Sequence, residues 1–221
     1  NNGRYSDLPI GHLDKITGLA FSNDGDKLFA GSLDCTISLW SVEGRHRHWS
    51  LTTNRADPFQ VSGIVQSPID DSKYLFADQY GLFQVNYPDI FSLITPSNLQ
   101  FSDLAISSDG NFLAATHSIT WLIPLPNTDP IKYSKQLQPA TPDEGLVLTF
   151  SADSSLLIVS SSFGLEFWSI PGAISLGELS FQQSGKNNKP VDIEASPDGY
   201  LIALGKSDGL VYIFGVNQTN D

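Results

Sequence analysis

An all-β fold of repeated, four-stranded antiparallel blades is what this 221-residue sequence predicts. Three observations carry that reading. Apolar and aromatic residues come in runs too short for helices, such as Leu28 to Ala30 and Ile37 to Trp40, bounded by Asn, Asp, Gly and Ser. A strand ending in serine recurs at Phe21-Ser22, Gln66-Ser67, Ile106-Ser107, Phe150-Ser151 and Ala195-Ser196, with serine-to-serine spacings of 45, 40, 44 and 45 residues. Three of those serines run into Asp-Gly turns, Asp24-Gly25, Asp109-Gly110 and Asp198-Gly199, where glycine supplies the positive φ of a narrow hairpin. A period of about 40–45 residues is the length of one four-stranded blade, so five repeats predict a five-bladed β-propeller.

The elements follow in order. After each serine turn comes an apolar strand: Lys27 to Ala30, Tyr74 to Ala77, Phe112 to Ala115, Leu156 to Ser160 and Tyr200 to Leu204. The second turn is the longer Pro68-Ile69-Asp70-Asp71, and the fourth reads Asp153-Ser154. A third strand follows in each repeat: Thr36 to Trp40, Leu82 to Val85, Thr120 to Pro124, Leu165 to Trp168 and Leu210 to Phe214. The repeats divide the chain at approximately 11–55, 56–97, 98–138, 139–182 and 183–215, as a single domain over 1–221. The fifth repeat has three strands. The segment Arg4 to Ile10 is placed to supply its outer strand by pairing with residues 209–215, which would close the ring and remove an exposed sheet edge. The rival reading is a piece of a larger, seven-bladed propeller with a structural role.

The stretch from Gly11 to Trp40 resembles the WD-repeat β-propeller family. Its parts are Gly11-His12, the turn Asp24-Gly25, and the hairpin Gly31-Ser32-Leu33-Asp34-Cys35-Thr36-Ile37-Ser38-Leu39-Trp40. The resemblance implies a hydrogen-bonded set of His12, Ser32, Asp34 and Trp40, in which Asp34 accepts from the His12 ring and Trp40 gives its indole N–H to Ser32. A buried indole N–H without a partner is costly, which makes such a set physically reasonable. The same residue types also compose a Ser-His-Asp catalytic triad, but the repeat itself requires them to tie its strands together. Later repeats depart from the pattern. The Trp40 position becomes Val85, Leu125, Trp168 and Phe214, and the Asp34 position becomes Gln79, Ile119, Ser162 and Asp208. Those blades are expected to rely on apolar packing.

Composition narrows the function. Asp and Glu number 24 against 12 Lys and Arg, a formal net charge of −12, whose field repels DNA and RNA. The one basic cluster, Arg45-His46-Arg47-His48, falls where a hairpin turn between a blade's last two strands is expected. No run of about 18 apolar residues marks a membrane span. No charged-then-apolar segment opens the sequence, and with Asn first and no Met it is expected to be an excised domain or a processed product, from which a targeting segment could have been removed. Cys35 is the single cysteine, a free thiol without a catalytic role, and favours a cytoplasmic, intracellular setting. His12, His46, His48 and His117 lack metal-ligand spacing, and the acidic turns lack a calcium-loop pattern, so no metal and no cofactor are expected.

No nucleophile elbow, phosphate-binding loop or dinucleotide fingerprint occurs, so no catalytic residue is assigned and the chain is not expected to be an enzyme. The expected function is a protein-interaction scaffold or sensor module, part of a larger multidomain protein, whose partner is a protein, a peptide or another domain of its parent. The alternative is a carbohydrate-binding or glycoside-cleaving five-bladed propeller. By the family's geometry the partner face comprises Leu13, Lys15, Leu33, Tyr80 and Phe163. In that reading Tyr80 and Phe163 occupy, with Cys35, Thr120 and Gly209, the turn after the Asp34 position. The plainer role for those two rings is to pack over the next blade's edge.

Overall fold

A computed structural model of the chain describes residues 11–44, 46–52, 61–78, 81–86, 90–93, 100–125, 134–138, 146–181 and 188–216. It separates into two compact units, Asn1–Gln100 and Phe101–Asp221. Among the described residues every regular element is a strand, and the strands form five antiparallel sheets, the blades of a β-propeller.

The first unit holds two sheets. One is β1 (Ile16–Phe21), β2 (Lys27–Ser32), β3 (Thr36–Ser41) and β4 (His46–Thr52), joined in chain order. The other is β5 (Gly63–Gln66), β6 (Lys73–Asp78), β7 (Gly81–Asn86) and β8 (Ile90–Leu93), again in chain order. Phe29, Ile37 and Leu39 of the first sheet pack with Ile64, Tyr74, Phe76 and Phe83 of the second. The Phe29 and Tyr74 rings stack with centroids 3.5 Å apart. Gly31 shows how close the sheets come: a Cβ there would lie 2.4 Å from Cγ1 of the fully buried Val61. The absence of a side chain at Gly31 is what admits Val61.

The second unit holds three sheets: β9 (Asp103–Ile106) to β12 (Lys135–Leu137), β13 (Val147–Phe150) to β16 (Ile174–Ser180), and the three-stranded β17 (Pro190–Ala195), β18 (Leu201–Lys206) and β19 (Val211–Gly215). Between them, β10 spans Phe112–Thr116, β11 Thr120–Pro124, β14 Leu156–Ser160 and β15 Gly164–Ser169. The packing matches the alternation of apolar side chains along each strand. Leu148, Leu157 and Val159 face Ala114, Leu122 and Leu137, while Val147, Ile158 and Leu165 face Ile193, Ile202 and Leu204. Asp103 ties two sheets directly: its carboxylate accepts the backbone N–H of Leu104 and of Leu148, each at 2.9 Å. Burial raises the Asp103 carboxyl to about 6, with the two N–H bonds pulling down and the charges of Asp192 and Glu194 pushing further up.

The first hairpin turn is built alike in four of the five sheets. Ser22, Ser107, Ser151 and Ser196 donate Oγ–H to Asp24, Asp109, Asp153 and Asp198 at 2.5 to 2.6 Å. Each Asp accepts the N–H two residues on, at 3.0 to 3.1 Å, and each serine Oγ accepts the N–H five residues on. These bonds to the ionised form hold all four carboxyls below their ordinary value. In the second sheet Asp70 takes over, accepting from the Ser72 hydroxyl and backbone.

Two expectations are corrected. The cluster His46-Arg47-His48 is not a turn. It opens β4, with Ser41 opposite His46 and Trp40 opposite Arg47, because Val42 to Gly44 already make the turn and Gly44 N–H bonds back to Ser41 Oγ. Thr120 is not a turn residue either. It is the first residue of β11, buried, with its hydroxyl 2.9 Å from that of Thr116, so the turn there is His117 to Ile119. Arg4 to Ile10, the expected closing strand, lies outside the described residues.

Candidate functional site

The site begins with a strand period. Along β3, Thr36, Ser38 and Trp40 fall on one face because side chains alternate. Asp34, two residues before Thr36, stands in the β2–β3 turn, where Cys35 has a φ of 69°. His12 comes across from the loop before β1. Its Nδ1 is 3.0 Å from Asp34 Oδ2 and 2.9 Å from Thr36 Oγ1, and its Nε2 is 2.6 Å from Ser38 Oγ. Trp40 donates its indole N–H to Ser38 Oγ at 2.7 Å. Ser38 therefore donates its hydroxyl hydrogen bond to Nε2, which leaves the ring proton on Nδ1 for Asp34. Thr36 completes the set by donating to Asp34 Oδ1 at 2.6 Å.

The Trp40 partner differs from the expectation: it is Ser38, not Ser32. Ser32 points the other way, donating to the Asp14 carbonyl at 3.2 Å and accepting the Asp34 N–H at 3.1 Å. The signal for Ser38 was present in the spacing. Counting back by twos from Trp40 reaches Ser38, Thr36 and Asp34, whereas Ser32 sits on the neighbouring strand. Burial raises the Asp34 carboxyl, but the Thr36 hydroxyl, the Leu13 N–H and His12 outweigh it, and the net shift is downward. The order Asp34-His12-Ser38 has the outline of a hydrolytic triad. Here the serine oxygen is buried and already accepts the indole N–H, so the arrangement ties strands together rather than presenting a nucleophile.

The same network fixes an exposed loop. Leu13 donates its backbone N–H to Asp34 Oδ2 at 2.7 Å, and Leu33 N–H bonds the Lys15 carbonyl at 3.0 Å. Leu13, Lys15 and Leu33 thus share one rim of the first unit. The Leu13 side chain is 91% exposed, the most open large apolar residue among those described. In the second unit Phe163 is 41% exposed. Its turn is closed by Ser161 Oγ, which accepts the N–H groups of Phe163 and Gly164, and its carbonyl takes the Phe181 N–H at 2.7 Å. Tyr80 lies outside the described residues. Cys35 is a free thiol, its Sγ 3.8 Å from the Leu33 carbonyl.

A reduced version of the tie occurs in the fifth sheet and was not anticipated. Asn188 Nδ2 donates to Asp208 Oδ2 at 2.6 Å, and Lys189 N–H bonds Ser207 Oγ at 3.0 Å. Asn188 plays the part of His12, but no Gly-His pair marked it in the sequence. The described residues include no cluster of His, Cys, Asp or Glu suited to a metal ion, and no helix long and apolar enough to cross a membrane.

Comparison with known proteins meets the same repeat. Residues 6–41 match the family model "WD domain, G-beta repeat". Over 113 residues, 51% of this chain, the sequence is 27% identical to Echinoderm microtubule-associated protein-like 1 of Homo sapiens. The rat protein of that name is 28% identical over 112 residues. The Periodic tryptophan protein 2 homolog of Dictyostelium discoideum is 24% identical over 110 residues, 48% of this chain. The matched segments span 14% of the human and rat proteins and 12% of the Dictyostelium protein. These similarities support a WD-repeat propeller architecture, one that typically serves as an interaction scaffold.

Proposed function

We propose that the chain is a non-catalytic protein-interaction module within a larger, cytoplasmic protein, and that it docks a protein or peptide, or another domain of its parent, on the β2–β3-type turns of its sheets. One observation carries this reading: Leu13 is exposed, yet its backbone is held by a carboxylate inside a buried relay. Exposed apolar side chains usually sit on adaptable surface. A fixed one is a pre-organised contact, which lowers the entropy lost on binding. Leu33 and the aliphatic stem of Lys15 extend the contact in the first unit, and Phe163 offers an aromatic anchor in the second. Tyr80 belongs to the proposed set by its place in the repeat.

The test uses the full-length parent with both Leu13→Ser and Phe163→Ser, and Glu43→Ser on the opposite strand ends as control. Quantitative affinity purification should lose specific partners at least ten-fold, about 1.4 kcal/mol, in the double variant alone. The melting temperature should stay unchanged. An unaltered partner profile in a folded double variant overturns the proposal.

A further inference from the structure

At the opposite strand ends from that rim, the serine turns of neighbouring sheets approach one another, and two kinds of side chain close the seams. Between the first and second sheets, Asn23 reaches across, donating to the Ser67 carbonyl at 3.1 Å and to Asp71 Oδ1 at 2.8 Å. Between the third and fourth sheets, Ser154 reaches back, its Oγ accepting the Asp109 N–H at 3.1 Å. The seam between the fourth and fifth sheets lacks both. The residue matching Asn23 is Ala152, and the residue matching Ser154 is Gly199. No hydrogen bond joins residues 151–155 to residues 196–200. A groove of about 550 Å³ opens in that place.

Its floor is apolar, formed by Leu156, Ile158, Phe167 and Ile202, with Val216 also lining it, and Leu156, Phe167 and Val216 are only half-buried. Its two rims each carry a carboxylate, Asp153 and Asp198. Their shared turn chemistry engages Oδ1 of both; Oδ2 of Asp153 also takes the Ser155 hydroxyl at 2.9 Å, while Oδ2 of Asp198 accepts no bond within the described residues. Such a groove takes a large apolar side chain, and the paired negative rims select a cation next to it. We infer that the seam between the fourth and fifth sheets is a second docking groove, for an extended peptide segment that places an arginine or lysine beside a large aliphatic or aromatic residue. The groove lies on different turns from the Leu13 rim, so it stands whether or not that rim binds anything.

The probe is a random dodecapeptide phage library selected on the intact chain. Enriched peptides should pair a basic with a large apolar residue. The best of them, synthesised, should bind at least ten-fold more weakly to Ala152→Asn/Gly199→Ser, which restores both closing side chains. Ser154 shows that a serine holds this turn position, at a φ of 61°. Leu156→Glu, measured beside it, should lose binding too, and Leu13→Ser should bind normally. Both groove variants are checked for an unchanged fold by thermal melting. The inference is overturned by no enrichment, by acidic consensus peptides, by equal binding to the closed variant, or by binding that appears only after residues 217–221 are removed. Loss in Leu13→Ser with retention in the groove variants would place the peptide on the rim and also overturn it.

Discussion

The two ends of the sheets differ in how far they repeat. At the serine-turn end, the same three bonds recur in four sheets with distances that agree to within about 0.2 Å. At the other end, the first sheet carries a relay of five side chains, and the fifth keeps an Asn188–Asp208 pair. The third has two buried threonines. The difference is one of locality. A serine turn satisfies its own backbone within six residues, so each repeat needs it for itself. The relay joins a loop to a turn more than twenty residues away, and packing can substitute for it wherever the loop it holds is not needed in one position.

The contrast can be broken at its strongest point. Asp34→Ala should lower unfolding stability by about 1–3 kcal/mol in a denaturant titration, since His12, Thr36 and the Leu13 N–H all lose their acceptor. Asp198→Ala, in a turn open to water, should shift the midpoint less. Equal effects would mean that the relay is no more than another turn.

A pH titration separates the carboxylates. Those of the serine turns and Asp34 are depressed, so the stability they contribute is present at neutral pH and is lost only below the ordinary carboxyl range. Asp103 is raised from 3.8 to about 6, and Glu194 is raised as well. The folded state therefore binds protons that the unfolded chain has released, and stability falls as pH rises from about 4 to 6. Unfolding stability should be greater at pH 5 than at pH 7, by an amount on the order of 1–2 kcal/mol, with a correspondingly higher melting temperature. In Asp103→Ala this dependence should shrink, although the variant is less stable throughout.

A smaller effect is expected where a turn meets its neighbour. Asn23→Ala removes two bonds across the first seam and should cost about 0.5–1.5 kcal/mol in the same titration. Ala152→Asn should be neutral or slightly stabilising.

Much of this was legible in the chain. The serine spacing and the Asp-Gly turns locate the second and third strands of every repeat to within two residues, because turn chemistry is local, whereas the outer strands carry no such marker. Register errors arose where locality failed. His46 to His48 read as a polar turn, but polar residues on an exposed outer strand look no different from a turn until the partner strand is placed. The family pattern assigns the Trp40 bond to Ser32, but Ser38 shares the strand and face of Trp40 while Ser32 ends β2, a difference that shows only once the strands are placed. Asn188 was missed because an amide donor carries no motif, and its role appears only when Asp208 stands beside it.

The central claim is that the buried relay of the first sheet holds the exposed Leu13 loop in place, and backbone hydrogen exchange at Leu13 tests it most directly. The account predicts a Leu13 amide protected well beyond the unstructured-peptide rate despite its exposed side chain, with protection lost in Asp34→Ala while the β2 and β3 amides remain protected. A Leu13 amide that exchanges freely in the wild-type chain would contradict it.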